Sequence, residues 1–237
     1  MMEHSEDVPG VFTAAGFRRG AVGVLAIVPA AAAFGLVYGV AAAEKGMSLL
    51  EVALSCMVIF AGASQLVAME LWREPLPILA MVLSVLVINL RHLLMGATAA
   101  PWFRGVPGLP AFASLYFMTD ESWGLAVAER RRGQVDAAYM LGAGVSLWVF
   151  WLAASMSGHA LGDLVRGFDP SLFGWLITGF FVVLLAGFWR GAGDLLPWLV
   201  AAGVALATRQ VLPGTWFVLT GALAGSLLGA WSHVRRR

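Results

Sequence analysis

The chain has 237 residues, of which 60% are hydrophobic and only 12% are charged, with a formal net charge of +1. A water-soluble globule needs more polar side chains than this to cover its surface, so the composition excludes an ordinary soluble domain. The arginines form short clusters without interleaved aromatic side chains, which argues against a nucleic-acid partner.

Apolar stretches follow one another along the chain, and we interpret each as a candidate transmembrane helix. Crossing about 30 Å of hydrocarbon takes about 20 helical residues, so this length leaves room for roughly seven or eight crossings. The approximate stretches are Ala21–Ala43, Met47–Trp72, Pro75–Phe103, Leu109–Ala128, Ala137–Ser157, Leu172–Phe188, Leu195–Ala207 and Trp216–Trp231. The seventh is short for a full crossing, so the sequence predicts an all-α integral membrane protein with seven to eight transmembrane helices.

Basic residues are unevenly divided between the loops that these spans define. If there are eight spans and the N-terminus is inside, the cytoplasmic segments hold most arginines, including the runs at 130–132 and 235–237. Positively charged loops are retained in the cytoplasm, so we expect both termini to be cytoplasmic. The predicted organisation is a short N-terminal segment (1–17), a single transmembrane domain (18–232) and a basic tail (233–237).

Two of the stretches have features that predict broken or re-entrant helices. Pro75–Phe103 would measure about 43 Å as one straight helix, more than the hydrocarbon thickness, and Asn89, Arg91 and His92 lie near its middle. The preceding stretch contains Phe60–Gln65, in which small residues allow backbones to approach and a helix to unwind. We therefore expect breaks near residues 60–66 and 88–97.

Acidic residues occur at the middle of the fourth stretch, where Asp120 and Glu121 are adjacent. Each ionisable residue at a helix centre costs about 2.5–3.5 kcal/mol on insertion scales, so these groups and Arg91 are expected to face protein or water. Adjacent helical residues point about 100° apart, so only one of the two carboxylates can easily face Arg91.

The single cysteine, Cys56, lies in an apolar run and cannot form an internal disulfide. No second thiol or histidine is near it in sequence, so we predict neither a metal site nor a cofactor.

Three motifs in these stretches resemble, in order and spacing, those of the AzlC family. They are Phe60–Gln65, the segment Ile88–Gly96, and Thr119–Ser122, and the similarity extends over about residues 17–130. The resemblance implies a permease of a bacterial cytoplasmic membrane that exports leucine, isoleucine and valine, with methionine as a further candidate. It also implies a small membrane partner subunit of the AzlD type, and no enzymatic activity.

A zwitterionic aliphatic amino acid needs a carboxylate partner, an ammonium partner and an apolar slot. We therefore consider two sets of candidate site residues. The substrate-binding candidates are Gly62, Ser64, Gln65, Asn89 and Arg91, and the candidates for coupling or ammonium binding are His92, Asp120 and Glu121.

Simpler explanations compete with each of these roles. Arg91 and a carboxylate can pair only to neutralise buried charge, the small residues before Gln65 can form a helix–helix seam, and His92 can bond to a neighbouring helix. Two other functions were weighed, an intramembrane serine hydrolase that uses Ser64 with a histidine and a passive channel for small polar solutes.

Overall fold

The computed structural model describes residues 11–134, 136–165, 182, 191–212 and 216–234. Within these ranges every regular element is helical, apart from one isolated backbone bridge between Val11 and Asp136. The chain divides into two compact units, Met1–Phe173 and Gly174–Arg237. Unit 1 contains α1 (Ala14–Gly23), α2 (Val28–Glu44), α3 (Leu49–Val58), α4 (Gly62–Glu70), α5 (Ile78–Asn89), α6 (Arg91–Ala99), α7 (Gly108–Tyr116), α8 (Asp120–Arg131) and α9 (Ala138–Val165), and unit 2 contains α10 (Leu195–Val211) and α11 (Trp216–Val234).

Helix α9 is the helix against which most of unit 1 packs. It has 28 residues, and α1, α2, α3, α7 and α8 all contact it. Glycines bring α2 and α9 into backbone contact: a Cβ built on Gly39 would lie 2.0 Å from the carbonyl oxygen of Ser155, and one on Gly158 would lie 2.1 Å from that of Leu36. Such close approach is typical of helix packing in membranes, where small residues line the interface.

The same kind of packing joins α1 to the beginning of α9. A Cβ on Gly20 would lie 2.0 Å from the carbonyl oxygen of Tyr139. At the N-terminus of α1, the Asp136 carboxylate accepts hydrogen bonds from the backbone N–H of Thr13 at 3.2 Å and of Ala138 at 3.0 Å. One carboxylate therefore binds the first turns of both helices.

The first predicted span is bent. Helix α1 is followed by a 3₁₀ turn (Val24–Ala26), and α2 begins beside Pro29, whose missing N–H is tolerated in a first helical turn. The axes of these two segments differ by 69°. The apolar pattern alone predicted a single helix here, because hydropathy does not indicate where a helix axis bends.

Two further predicted spans are interrupted. Between α3 and α4 the chain leaves the helical conformation over residues 59–61, and Ala61 is extended (φ −157°, ψ 103°), close to the break predicted near 60–66. Between α7 and α8 a second break covers residues 117–119, where Thr119 is extended (φ −121°, ψ 169°). This second break was not predicted, because Leu109–Ala128 reads as one apolar stretch.

The interruption predicted near 88–97 is confined to Leu90, which keeps helical dihedral angles (φ −55°, ψ −27°). The prediction of a broken or re-entrant segment there needs correction, because α5 and α6 continue into one apolar helix of 26 residues, Ile78–Phe103. Sharp kinks usually occur at proline or glycine, and residue 90 is a leucine.

By length and composition, two described helices can cross a membrane, Ile78–Phe103 and Ala138–Gly162, and a third if α1 and α2 form one bent span. The predicted count of seven to eight is therefore not confirmed. Broken helices such as α3 and α4 are individually too short to span about 30 Å, and the predicted span Leu172–Phe188 lies outside the described residues except for Val182.

Helices α5 and α6 expose one continuous apolar stripe. Its members recur at helical spacing across Leu90, and they are Leu79, Val82, Leu83, Leu86, Leu90, Leu93 and Leu94. An uninterrupted apolar surface of this kind is suited to contact with lipid or with another apolar surface.

In unit 2, α10 and α11 pack against each other through small residues. A Cβ on Gly221 would lie 2.8 Å from the carbonyl oxygen of Ala201. The hydroxyl groups of Thr208 and Thr220 share a hydrogen bond of 2.8 Å. The two helices therefore form a close antiparallel pair.

The glycine seam between α2 and α9 generates a stability prediction. Gly39→Ala should destabilise the protein by about 1–3 kcal/mol, because the new methyl group meets backbone that cannot move aside. Gly124→Ala in α8 is the matched control, since a Cβ built on Gly124 would have no atom within 4 Å and alanine has the higher helix propensity. The measurement is the thermal unfolding of both variants in detergent, and equal melting temperatures would contradict the proposed role of Gly39.

Candidate functional site

Arg91 and Asp120 form an ion pair across two helix termini. The Nη1 atom of Arg91, at the first residue of α6, lies 2.8 Å from Oδ2 of Asp120, at the first residue of α8. The Arg91 and Asp120 side chains are 39% and 46% exposed, so the ion pair is only half-buried.

The break between α7 and α8 positions Asp120. The Thr119 hydroxyl accepts from the backbone N–H of Ser122 at 3.2 Å, and the Ser122 hydroxyl accepts from the backbone N–H of Thr119 at 2.9 Å. This capping box starts α8 directly after the break. It leaves Asp120 and Glu121 in the first turn, where the helix dipole favours negative charge.

Glu121 lies on a different face of α8 from Asp120. Its side chain is exposed, and among the described residues it has no ion-pair partner. The sequence predicted that only one carboxylate would face Arg91, and the structure selects Asp120.

Ser64, Asn89 and His92 form a second polar group beside this pair. The Ser64 hydroxyl donates to Oδ1 of Asn89 at 2.8 Å, which joins α4 to the end of α5. Nδ1 of His92 lies 3.3 Å from the carbonyl oxygen of Asn89, and His92 also bonds to the backbone of Met118 in the α7–α8 break. His92 therefore connects this group to the segment that carries Asp120.

Gln65 is buried in a separate network, and both ends of its amide are bonded to protein. Its Nε2 donates to the Ser55 hydroxyl at 3.2 Å and to the Cys56 sulfur at 3.3 Å, while its Oε1 accepts from the Trp151 indole N–H at 2.9 Å. The Tyr38 hydroxyl shares a hydrogen bond of 2.7 Å with Ser55. The network links α2, α3, α4 and α9 around the α3–α4 break.

Tyr38, Ser55 and Trp151 were missed as site residues by sequence reasoning. Each lies in an apolar run without a recognisable motif, and only the fold brings them together. One property of the sequence could have indicated them: hydroxyl and indole groups in apolar runs are expected to be buried. Buried polar groups are almost always hydrogen-bonded, so these side chains are expected to bond to one another.

Gly62 lies against aromatic rings at the same break. A Cβ on Gly62 would lie 3.1 Å from the nearest ring atoms of both Phe34 and Trp151. A Cβ at this position would press on both rings, so glycine fits closely between Phe34 and Trp151.

Among the described residues Ser64 makes no hydrogen bond to a histidine, although His92 is bonded to the same residue, Asn89. The Ser64 hydroxyl donates to Asn89, and the ring of His159 bonds to the carbonyl oxygen of Met47 at 2.7 Å. Among the described residues no group of three or more histidine, cysteine or acidic side chains has the geometry of a metal site.

A small cavity with room for about 10 Å³ lies elsewhere in unit 1, between the ends of α1, α8 and α9. Arg130 contributes to its wall and stacks on Trp102, with the guanidinium carbon 5.0 Å from the ring centre. Partial burial lowers the pKa of Arg130 from its ordinary value, although an arginine remains charged at neutral pH. This space suits about one water molecule.

The saturated Gln65 amide leads to a second stability prediction. Gln65→Leu should lower the melting temperature, because the Trp151 indole N–H loses its partner, at a cost of about 1–3 kcal/mol for an unsatisfied buried group. Gln210→Leu on exposed α10 is the control, and it should leave the melting temperature nearly unchanged. A Gln65→Leu protein as stable as the parent would show that the network is dispensable.

The chain is similar in sequence to several membrane proteins. The chain is 29% identical over 221 residues to an uncharacterized membrane protein of Archaeoglobus fulgidus, covering 91% of this chain and 94% of that protein. It is 23% identical over 203 residues to the branched-chain amino acid transport protein AzlC of Bacillus subtilis, covering 85% and 78%. It is 26% identical over 215 residues to the inner membrane protein YgaZ of Escherichia coli, covering 86% and 84%.

No solved structure matches the chain. The AzlC protein family matches residues 26–165, which span α2 to the end of α9 and include every residue of the site described above. The chain therefore belongs to the AzlC family.

Proposed function

We propose that this protein transports branched-chain amino acids out of the cell, as the large permease subunit of a two-component, ion-coupled exporter. Membership of the AzlC family and the name of the Bacillus subtilis relative support a membrane transport role. The observation that carries the proposal is the half-exposed ion pair of Arg91 and Asp120 beside two broken helices.

The pair has the charges that a zwitterionic amino acid requires. A substrate carboxylate can replace Asp120 at the Arg91 guanidinium, while the substrate ammonium group takes the Asp120 carboxylate. The Arg91 Nε atom is buried and has no hydrogen-bond partner among the described residues. Because Nε is buried, a bound carboxylate would use the terminal Nη1 and Nη2 donors of the guanidinium.

The neighbouring polar residues complete the proposed site. Ser64 is fully buried and donates to Asn89, so we propose that it orients the Asn89 amide beside the Arg91 helix end, and that the backbone at Gly62 in the α3–α4 break is a further substrate contact. Gln65 is fully bonded within the protein, so we propose that it holds the α3–α4 break in position and supports the substrate-binding residues indirectly.

Glu121 and His92 are the candidates for ion coupling. Glu121 lies next to Asp120 without a cationic partner among the described residues, so we propose it as the carboxylate available for coupling. His92 lies between Asn89 and Met118, and a histidine can exchange a proton near neutral pH. Either group can link proton movement to substrate release.

We predict that Arg91→Ala and Asp120→Asn each abolish leucine export while the protein still inserts into the membrane. Each variant removes one charge that the zwitterion needs, and Arg91→Lys should restore export only partly because lysine lacks the planar fork. Glu129→Gln is the control for charge loss in α8, since Glu129 pairs with exposed Arg132 away from the site. Efflux of labelled leucine from preloaded cells measures all four variants.

A charge exchange separates substrate binding from structural pairing. The double variant Arg91→Asp with Asp120→Arg can re-form the ion pair, so parental export would show that the two residues only pair with each other. Loss of export from a folded double variant is the result expected if both residues bind substrate. Export near the parental rate in the single variants would also remove this site assignment.

The exposed stripe on α5 and α6 motivates a prediction about the partner subunit. We propose that a small membrane subunit of the AzlD type is required for export, and that an apolar surface of this kind offers it a place to pack. Proteoliposomes with the large subunit alone should show little leucine efflux, and addition of the small subunit should restore it. Full efflux from the large subunit alone would disprove the requirement.

A further inference from the structure

The last carbonyl groups of α3 are bonded to side chains from other helices. Helix ends leave about four carbonyl groups without an intrahelical partner. The Cys56 carbonyl oxygen accepts from the Trp148 indole N–H of α9 at 3.1 Å, and the Met57 carbonyl oxygen accepts from the hydroxyl of Tyr116. Tyr116 is the last residue of α7, so this hydrogen bond joins the α3–α4 break directly to the α7–α8 break.

Aromatic rings fill the space between the two breaks. The Phe117 ring contacts those of Tyr116, Trp148 and Phe60, with centroid distances of 4.9, 5.7 and 6.4 Å and edge-to-face geometry. Phe60 belongs to the first break and Phe117 to the second. We call these four side chains the aromatic barrier.

The barrier adjoins the proposed site on both sides. Phe60 is four residues before Ser64, and Phe117 is three residues before Asp120. The backbone of the second break also rests on α9, because a Cβ on Gly144 would lie 2.1 Å from the Phe117 carbonyl oxygen. The contact between Phe60 and Phe117 therefore holds the two break segments together.

We infer that the aromatic barrier is a gate and that the hydrogen bond from Tyr116 to the Met57 carbonyl is the latch that holds it closed. The inference rests on the proposed transport function, in which the two breaks must separate for the substrate to move past them. Opening requires the two breaks to lose the contacts between them. Among the described residues, the latch is the hydrogen bond that joins the end of α3, before the first break, to the end of α7, before the second.

Tyr116 is better suited to move than the other carbonyl donor. Its side chain is 45% exposed and it sits at the end of a nine-residue helix. Trp148 lies within the 28-residue α9, packed against α3 and the breaks. The latch can therefore open while α9 keeps its position.

Cys56 provides a native reporter of this opening. It is the only cysteine of the chain, it is fully buried, and its sulfur accepts from Gln65 beside the α3–α4 break. A buried thiol reacts with a maleimide only when the surrounding structure opens, so its labelling rate reports the population of the open form.

The test compares Cys56 labelling by a membrane-permeant maleimide in the parent protein, Tyr116→Phe and Tyr139→Phe, in vesicles without amino acid. Tyr116→Phe removes only the latch hydroxyl, and the loss of one hydrogen bond should accelerate labelling about fivefold. Tyr139→Phe is the matched control, because the Tyr139 hydroxyl makes no hydrogen bond among the described residues, while the ring would stay packed with Met95, Met118 and Met140. Trp148→Phe, which releases the Cys56 carbonyl, should also accelerate labelling.

Three results would decide the matter. Parental labelling rates in both Tyr116→Phe and Trp148→Phe would overturn the gate, and so would equal acceleration in Tyr139→Phe, which would indicate general loosening. Selective acceleration in Tyr116→Phe supports the latch. Leucine efflux is measured on the same vesicles. If Tyr116→Phe selectively accelerates labelling but the parent protein does not transport leucine, the result supports the latch and refutes the proposed substrate.

Discussion

The close packing of α9 against α1 and α2 is the constraint on which the rest of unit 1 depends. Glycines such as Gly39, Gly142 and Gly158 remove the side chains that would otherwise hold these helices apart, and backbone meets backbone along the seam. A long helix held this firmly can support shorter, interrupted ones. It does so through Trp148 and Trp151, whose indole groups reach the α3–α4 break.

Interrupted helices are costly inside a membrane because their terminal backbone groups have no water to bond with. This protein meets that cost with side chains: Tyr116 and Trp148 bond to the carbonyl groups that end α3, and Thr119 and Ser122 cap α8. The same residues that stabilise the breaks therefore determine where the polar groups of the site lie. Stability and the proposed function share one set of contacts.

The ion pair and the Gln65 network have different physical characters. Gln65 is buried with its amide saturated, so breaking its bonds is expensive and it suits a permanent structural role. Arg91 and Asp120 are partly exposed, so a ligand can reach both charges. The proposed site requires charged groups that a zwitterion can reach, and this pair meets that requirement.

The sequence by itself determined the class of protein, its helical character, a break close to residue 60, and the rule that only one of Asp120 and Glu121 faces Arg91, because these depend on composition, small residues and helical periodicity. Only the tertiary structure decided that Asp120 is the partner, that the chain breaks again at residues 117–119, and that Gln65 is enclosed by Tyr38, Ser55 and Trp151. The physical reason is that these outcomes depend on contacts between residues distant in sequence, such as Gly144 with Phe117, which no local pattern encodes.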